Sequence, residues 1–177
     1  MPLIEEVLAE AGTPLQALSA IGVGVGPGNF TGLRIAVSAA RGLALGLGVP
    51  AIGVTMFEAC YGQRRTDLSA IVALPGPRDT LYVQQMAPVL ASPAVITGSK
   101  DIGEDRFALV VTTAREAIPD WLLSRTKAIA GAEPVARSIG RIAATRMDAP
   151  QPRPTPVYVR PADAAPSKDK VPVILPC

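Results

Sequence analysis

The residues best placed to do chemistry lie in a glycine-rich run, GVGVGPGNFTG, from Gly22 to Gly32. A run of this kind between a strand and a helix presents free backbone N–H groups and the positive end of the helix dipole, the arrangement that binds phosphate. The specific phosphate motifs do not fit. A Walker loop needs Lys-Ser/Thr after its last glycine, and Gly32 is followed by Leu33 and Arg34. A dinucleotide fingerprint needs a sixth-place glycine, where Asn29 or Pro27 stands. The loop therefore has two readings: contact with an anion, or a tight turn that only permits close packing. Asp67, Asp79 and Asp101 are the nearest carboxylates that could hold magnesium for a small ATPase-like hydrolase, but none sits at a motif spacing.

The chain has no histidine. Ser-His-Asp and Cys-His nucleophile pairs, histidine metal sites and histidine pH switches are thereby excluded. Aromatic residues make up 4% of the 177, too few for a platform that stacks single-stranded nucleic acid. A net charge of +2 spread along the chain gives no basic stripe for direct nucleic-acid binding. Cys60 and Cys177 form no disulfide framework and read as inert thiols. The first residues carry Glu5 and Glu6 and no basic n-region, unlike a signal peptide. The most apolar stretch, residues 35–54, is interrupted by Arg41, Pro50 and several glycines, which makes it a poor membrane span. A cytoplasmic, reduced setting is expected. With 49% hydrophobic and 18% charged residues, the chain has the material for a real core.

Several elements must hold these residues. Residues 2–11 read as an amphipathic helix, with Leu3, Ile4, Val7 and Leu8 on one face. AIGVGV (20–25) reads as a buried strand, and Asn29 or Thr31 can cap a helix that runs to about Leu47. AIGVT (51–55) is the next strand, which completes a right-handed βαβ unit. SAIVAL (69–74) and TLYVQQM (80–86) read as a hairpin around Pro75-Gly76-Pro77-Arg78-Asp79. AVIT (94–97), FALVVT (107–112) and KAIAG (127–131) are further strands. Pro119 breaks or kinks a helix over 114–123, and Val135 to Met147 is amphipathic. A proline-rich tail follows Pro150, extended and packed in part around Val157-Tyr158-Val159.

The helix after the loop carries a second pattern. Ser38, Gly42 and Gly46 recur every four residues, and glycine inside a helix costs roughly 0.5–1 kcal/mol relative to alanine. Arg34 and Arg41 share the face of Ser38. The row is either a solvated basic edge or a protein interface with small residues at its centre and arginines at its rim.

GPGNFTGLRIAVSAARGLALGLGVPAIGVT, together with the closing PTPVYVRPADAAP, resembles the signature of the TsaB (YeaZ) family, whose complex makes threonylcarbamoyladenosine in tRNA. The resemblance implies an α/β, actin/Hsp70-like (ASKHA) two-lobe fold. Residues 1–66 would be the remainder of the first lobe, 67–150 a smaller α/β lobe and 151–177 the proline-rich tail. The family normally opens with strands carrying an Asp-Thr-Ser turn, so an N-terminally truncated lobe is expected. The resemblance also implies a non-catalytic scaffold subunit without a cofactor. Such a subunit pairs with a TsaD-like catalytic subunit, or with itself when alone, through its first two helices. It meets a TsaE-like ATPase in the complex and reaches tRNA only through that complex, with no membrane partner. An older peptidase-like label has no nucleophile, base or metal site behind it here, and a truncated, non-functional family member is the remaining alternative. Gly26, Pro27, Gly28, Asn29, Phe30, Thr31, Gly32 and Arg34 match the signature and carry over as the partner-facing or structural loop, with Ser38, Arg41, Gly42 and Gly46 as the helical face.

Overall fold

In the computed structural model, residues 2–62, 64, 69–77, 80–87, 95–97 and 106–159 are described. Asp67, Arg78, Asp79, Asp101, Cys177 and the tail from residue 160 onward lie outside them.

Helix α1 spans Pro2–Glu10. A turn of 3₁₀ helix at Leu15–Ala17 leads into β1, Ile21–Gly24. Helix α2 covers Phe30–Leu47 and ends at Gly48, whose φ of 69° gives the left-handed cap common at helix ends. Strand β2, Ala51–Val54, lies parallel to β1 in register from Ile21–Ala51 to Gly24–Val54. This is the βαβ unit expected from the sequence. Val37 and Ala40 of α2 are buried with Val23 and Val25 between helix and strand.

Helix α3, Met56–Tyr61, was not anticipated. Its start is a capping box. The Thr55 hydroxyl accepts from the Glu58 amide at 3.1 Å, and the Glu58 carboxylate accepts from the Thr55 amide at 2.8 Å. The Thr-x-x-Glu spacing was visible in the sequence and was the signal for it.

Strands β3 (Ala70–Pro75), β4 (Leu81–Ala87), β5 (Val95–Thr97), β6 (Phe107–Thr112) and β7 (Thr126–Gly131) form a mixed sheet in the order β5-β4-β3-β6-β7. β3 pairs antiparallel with β4, as the hairpin reading requires, and parallel with β6. As the central strand it is covered on both faces, so its sequence is an unbroken apolar run. Ala70, Val72 and Leu74 pack with Phe57, Cys60 and Tyr61 of α3. Ile71 and Ala73 pack on the other face with Phe107, Ile118 and Leu122. Leu122 belongs to α4, Asp120–Leu123, which begins directly after Pro119.

Helix α5, Val135–Arg146, joins the two sheets by packing on β1, β2 and α3. It comes so close to β1 that a Cβ at Gly22 would lie 3.0 Å from Ala143 Cβ and from Ile139 Cγ2. A glycine there is a packing requirement.

Glu58 of α3 pairs with Arg146 of α5 across this junction. Burial pushes the Glu58 carboxyl up. The Arg146 guanidinium and the amide and hydroxyl of Thr55 outweigh burial and hold it below the ordinary carboxylate range. A carboxyl lowered on folding stabilises the fold above its unfolded value, and that contribution is lost as pH falls through the folded value. Glu58→Gln is therefore expected to lower the urea midpoint at neutral pH. It should also flatten the loss of stability as pH falls from the ordinary carboxylate range through the lowered folded value. Parallel pH curves for parent and variant would refute the assignment.

Candidate functional site

The glycine-rich loop proves to be two structures in one. Gly26 and Pro27 are buried, and the Gly26 carbonyl accepts from the Met56 amide at 2.8 Å. Gly28 and Asn29 are exposed. Of the two caps considered, Asn29 is the one used, its side-chain oxygen accepting from the Gly32 amide at 2.8 Å. Thr31 and Gly32 lie exposed in the first turn of α2.

Phe30 and Arg34 turn toward the chain's own closing segment. The Arg34 guanidinium sits 3.9 Å above the Phe30 ring, and its Nε donates to the Tyr158 hydroxyl at 2.9 Å. The Phe30 and Tyr158 rings are 4.8 Å apart. Next to them the Val157 amide donates to the Val25 carbonyl at 2.7 Å. The two tilted rings and the guanidinium form an amphipathic clasp whose parts contribute roughly 0.5–1 kcal/mol each at an exposed site. Residues 157–159 of the tail are thus packed, as expected, and Pro154 is buried against Gly53.

Beyond the clasp, α2 presents a face that nothing in the described chain covers. Ser38, Arg41, Gly42 and Gly46 are all exposed. A Cβ placed on Gly42 or on Gly46 would find no atom of the described residues within 4 Å. So the row does not serve packing among the described residues. Two large apolar side chains flank it, Ile35 at 65% exposure and Leu45 at 85%. Sequence reasoning passed over both, although at 100° per residue Ile35 projects beside Gly42, opposite Val37 and Ala44, and Leu45 projects beside Ser38. Helix α1 has the same character. Its apolar face does form, but no residue of it is buried, and Leu3, Ile4 and Val7 stand 71%, 41% and 54% exposed. Exposed apolar groups thus fall on two helices, α1 and α2.

A groove of about 610 Å³ runs between α2 and the start of the closing segment, with Ser38, Arg41, Gly42 and Leu45 on one side and Gln151 and Arg153 on the other. Among the described residues, no group of three or more His, Cys, Asp or Glu converges as metal ligands would. Cys60 is fully buried, and burial pushes its thiol up to about 11, far from a reactive thiolate at neutral pH.

Comparison with known proteins gives these features a context. A family model described as TsaD, tRNA N6-adenosine threonylcarbamoyltransferase, matches residues 1–90. The Escherichia coli tRNA threonylcarbamoyladenosine biosynthesis protein TsaB is 46% identical over 55 residues, which are 31% of this chain and 24% of that protein. The Haemophilus influenzae protein of the same name is 31% identical over 90 residues, covering 49% of this chain and 38% of its own length. The chain thus spans well under half of these curated relatives. A Mycobacterium tuberculosis protein described as uncharacterized is 29% identical over 166 residues, 93% of this chain and 75% of that one. Among solved structures, YeaZ from Pseudomonas aeruginosa superposes with a TM-score of 0.65 at 24% identity, over 88% of this chain and 82% of that one. A second Pseudomonas aeruginosa structure, described as similar to peptidase YEAZ, gives a TM-score of 0.66 at 24% identity, over 90% and 82%. The α/β, actin-like fold expected from the sequence is the observed one.

Proposed function

The chain belongs to the family that the TsaD model describes and, within it, to TsaB/YeaZ; from that premise we propose that it is a non-catalytic subunit in threonylcarbamoyladenosine biosynthesis, pairing with a TsaD-like catalytic subunit through α1 and α2. The observation that carries the reading is exposed apolar surface on both helices: Leu3, Ile4 and Val7 on α1, and Ile35 and Leu45 on α2 beside the open row at Gly42 and Gly46. Large apolar groups left exposed on two helices offer such a surface to a partner. The small row lets a partner helix approach backbone to backbone, and the flanking apolar side chains supply the area that holds it.

The role of the chain is to hold and complete its partner rather than to react. A sequence without histidine and a buried, unreactive Cys60 support this side of the reading. The signature loop then acts as the hinge of the interface, since it caps α2 and ties it to the rest of the fold. In the same reading the protein works in the cytoplasm, self-associates through the same face when its partner is absent, meets a TsaE-like ATPase in the assembly and contacts tRNA only there. Co-purification with a TsaD-like subunit and complementation of a TsaB-depleted bacterium test it together. The expected result is a stable complex and restored tRNA threonylcarbamoylation. A folded chain that neither binds nor restores the modification would end the proposal.

A further inference from the structure

The closing segment, residues 151–159, does two things at once. Its first part is a wall of the groove beside α2, contributing Gln151 and Arg153 opposite Ser38, Arg41, Gly42 and Leu45. Its last part is fastened to the signature by the Val157–Val25 hydrogen bond and by the Phe30–Arg34–Tyr158 clasp. Two guanidiniums, from Arg41 and Arg153, therefore line one groove. Neither has an ion-pair partner among the described residues, and the exposed Leu45 lies with them.

Two cations beside an apolar contact complement one shape of occupant: a helix with apolar side chains edged by carboxylates. Building on the pairing reading above, we infer that this groove is a composite docking site for an acidic-edged helix of the catalytic-type partner, with the clasp holding the Arg153 wall in place. Arg34 is then a positioning residue that acts inside the chain, where the signature alone left it either partner-facing or structural. The coupling follows from linkage. A partner that contacts both walls binds the clasped form better than the unclasped one. Clasp closure and partner binding therefore favour each other by the same factor.

The test uses the full chain and a purified TsaD-like subunit, with affinity measured by calorimetry and clasp closure by hydrogen exchange at the Val157 amide. Arg153→Glu is expected to weaken binding about tenfold and to flatten its salt dependence, because it reverses a charge that faces carboxylates. Tyr158→Ala should speed exchange at Val157 and weaken binding by a similar factor, with Tyr158→Phe intermediate because the ring remains. Partner binding should in turn slow Val157 exchange in the parent chain. If Tyr158→Ala unfolds the chain, Tyr158→Phe and Arg34→Lys carry the same comparison. Ile35→Glu lies on the helical face outside the groove and separates the two claims. If it abolishes binding while Arg153→Glu and Tyr158→Ala bind like the parent, the helical interface stands and the composite groove is overturned. If Ile35→Glu also binds like the parent, the helical interface fails and the groove proposal falls with it.

Discussion

Gly42→Leu is expected to weaken pairing with the catalytic-type subunit at least about 100-fold while making the isolated chain slightly more stable. The two effects come from the same fact. A Cβ at Gly42 meets nothing within 4 Å, so leucine fits without strain in the lone chain. Replacing glycine in an exposed helix interior gains roughly 0.5–1 kcal/mol, about 1–4 °C of melting temperature for a chain of this size. A partner helix that needs close backbone approach meets four new carbon atoms at the centre of the contact, where the loss is greatest. A thermal melt and a binding isotherm on the same sample read both effects. Unchanged affinity with a raised melting temperature would show that the row faces only water. A lowered melting temperature would show that it packs inside the fold.

The second large effect is on folding, at Gly26→Ala. Gly26 has φ +106°, where side chains are disfavoured by about 1–3 kcal/mol. Its Cβ would also lie 2.8 Å from the Val157 carbonyl oxygen and 2.9 Å from Leu33 Cδ1. Leu33 can move, but the Val157 backbone cannot easily, since its amide is bonded to Val25 and the next residue is clasped by Arg34. The sum is about 3 kcal/mol or more of lost stability, in the range of the most damaging single substitutions. Gly28→Ala is the internal contrast. That residue has no positive φ, and its Cβ would meet only the Leu33 side chain at ordinary contact distances of 3.8 Å and beyond. It is expected to stay within about 0.5 kcal/mol of the parent. Urea midpoints measured side by side decide the matter. Equal losses at the two positions would refute the view that the signature glycines differ in role.

Much of the architecture was legible because it rests on local rules. The βαβ unit follows from two short apolar runs around a capped helix, and the β3–β4 hairpin from apolar runs separated by turn residues. Pro119 predicted the break before α4 correctly, because a ring without an N–H cannot continue the preceding turn. Helix α3 was legible in principle from Thr55 and Glu58, but its six residues are too few for a helical period to emerge from the apolar pattern around them.

The candidate site divides along the same line. Periodicity and residue type, which are properties of the chain itself, determined the strand-loop-helix unit, the row at Ser38, Gly42 and Gly46, the absence of histidine chemistry and the likeness to TsaB. Burial belongs to the assembled fold, and that is where the rest was decided. An amphipathic α1 looks the same in sequence whether its face meets a core or water; only the positions of the other elements leave Leu3 and Val7 uncovered. Arg34 and Tyr158 are 124 residues apart, so no spacing rule could join them. Their pairing depends on where β1 ends and where the closing segment crosses it, and both are set by the packing of α5 and α2 on the two parallel strands.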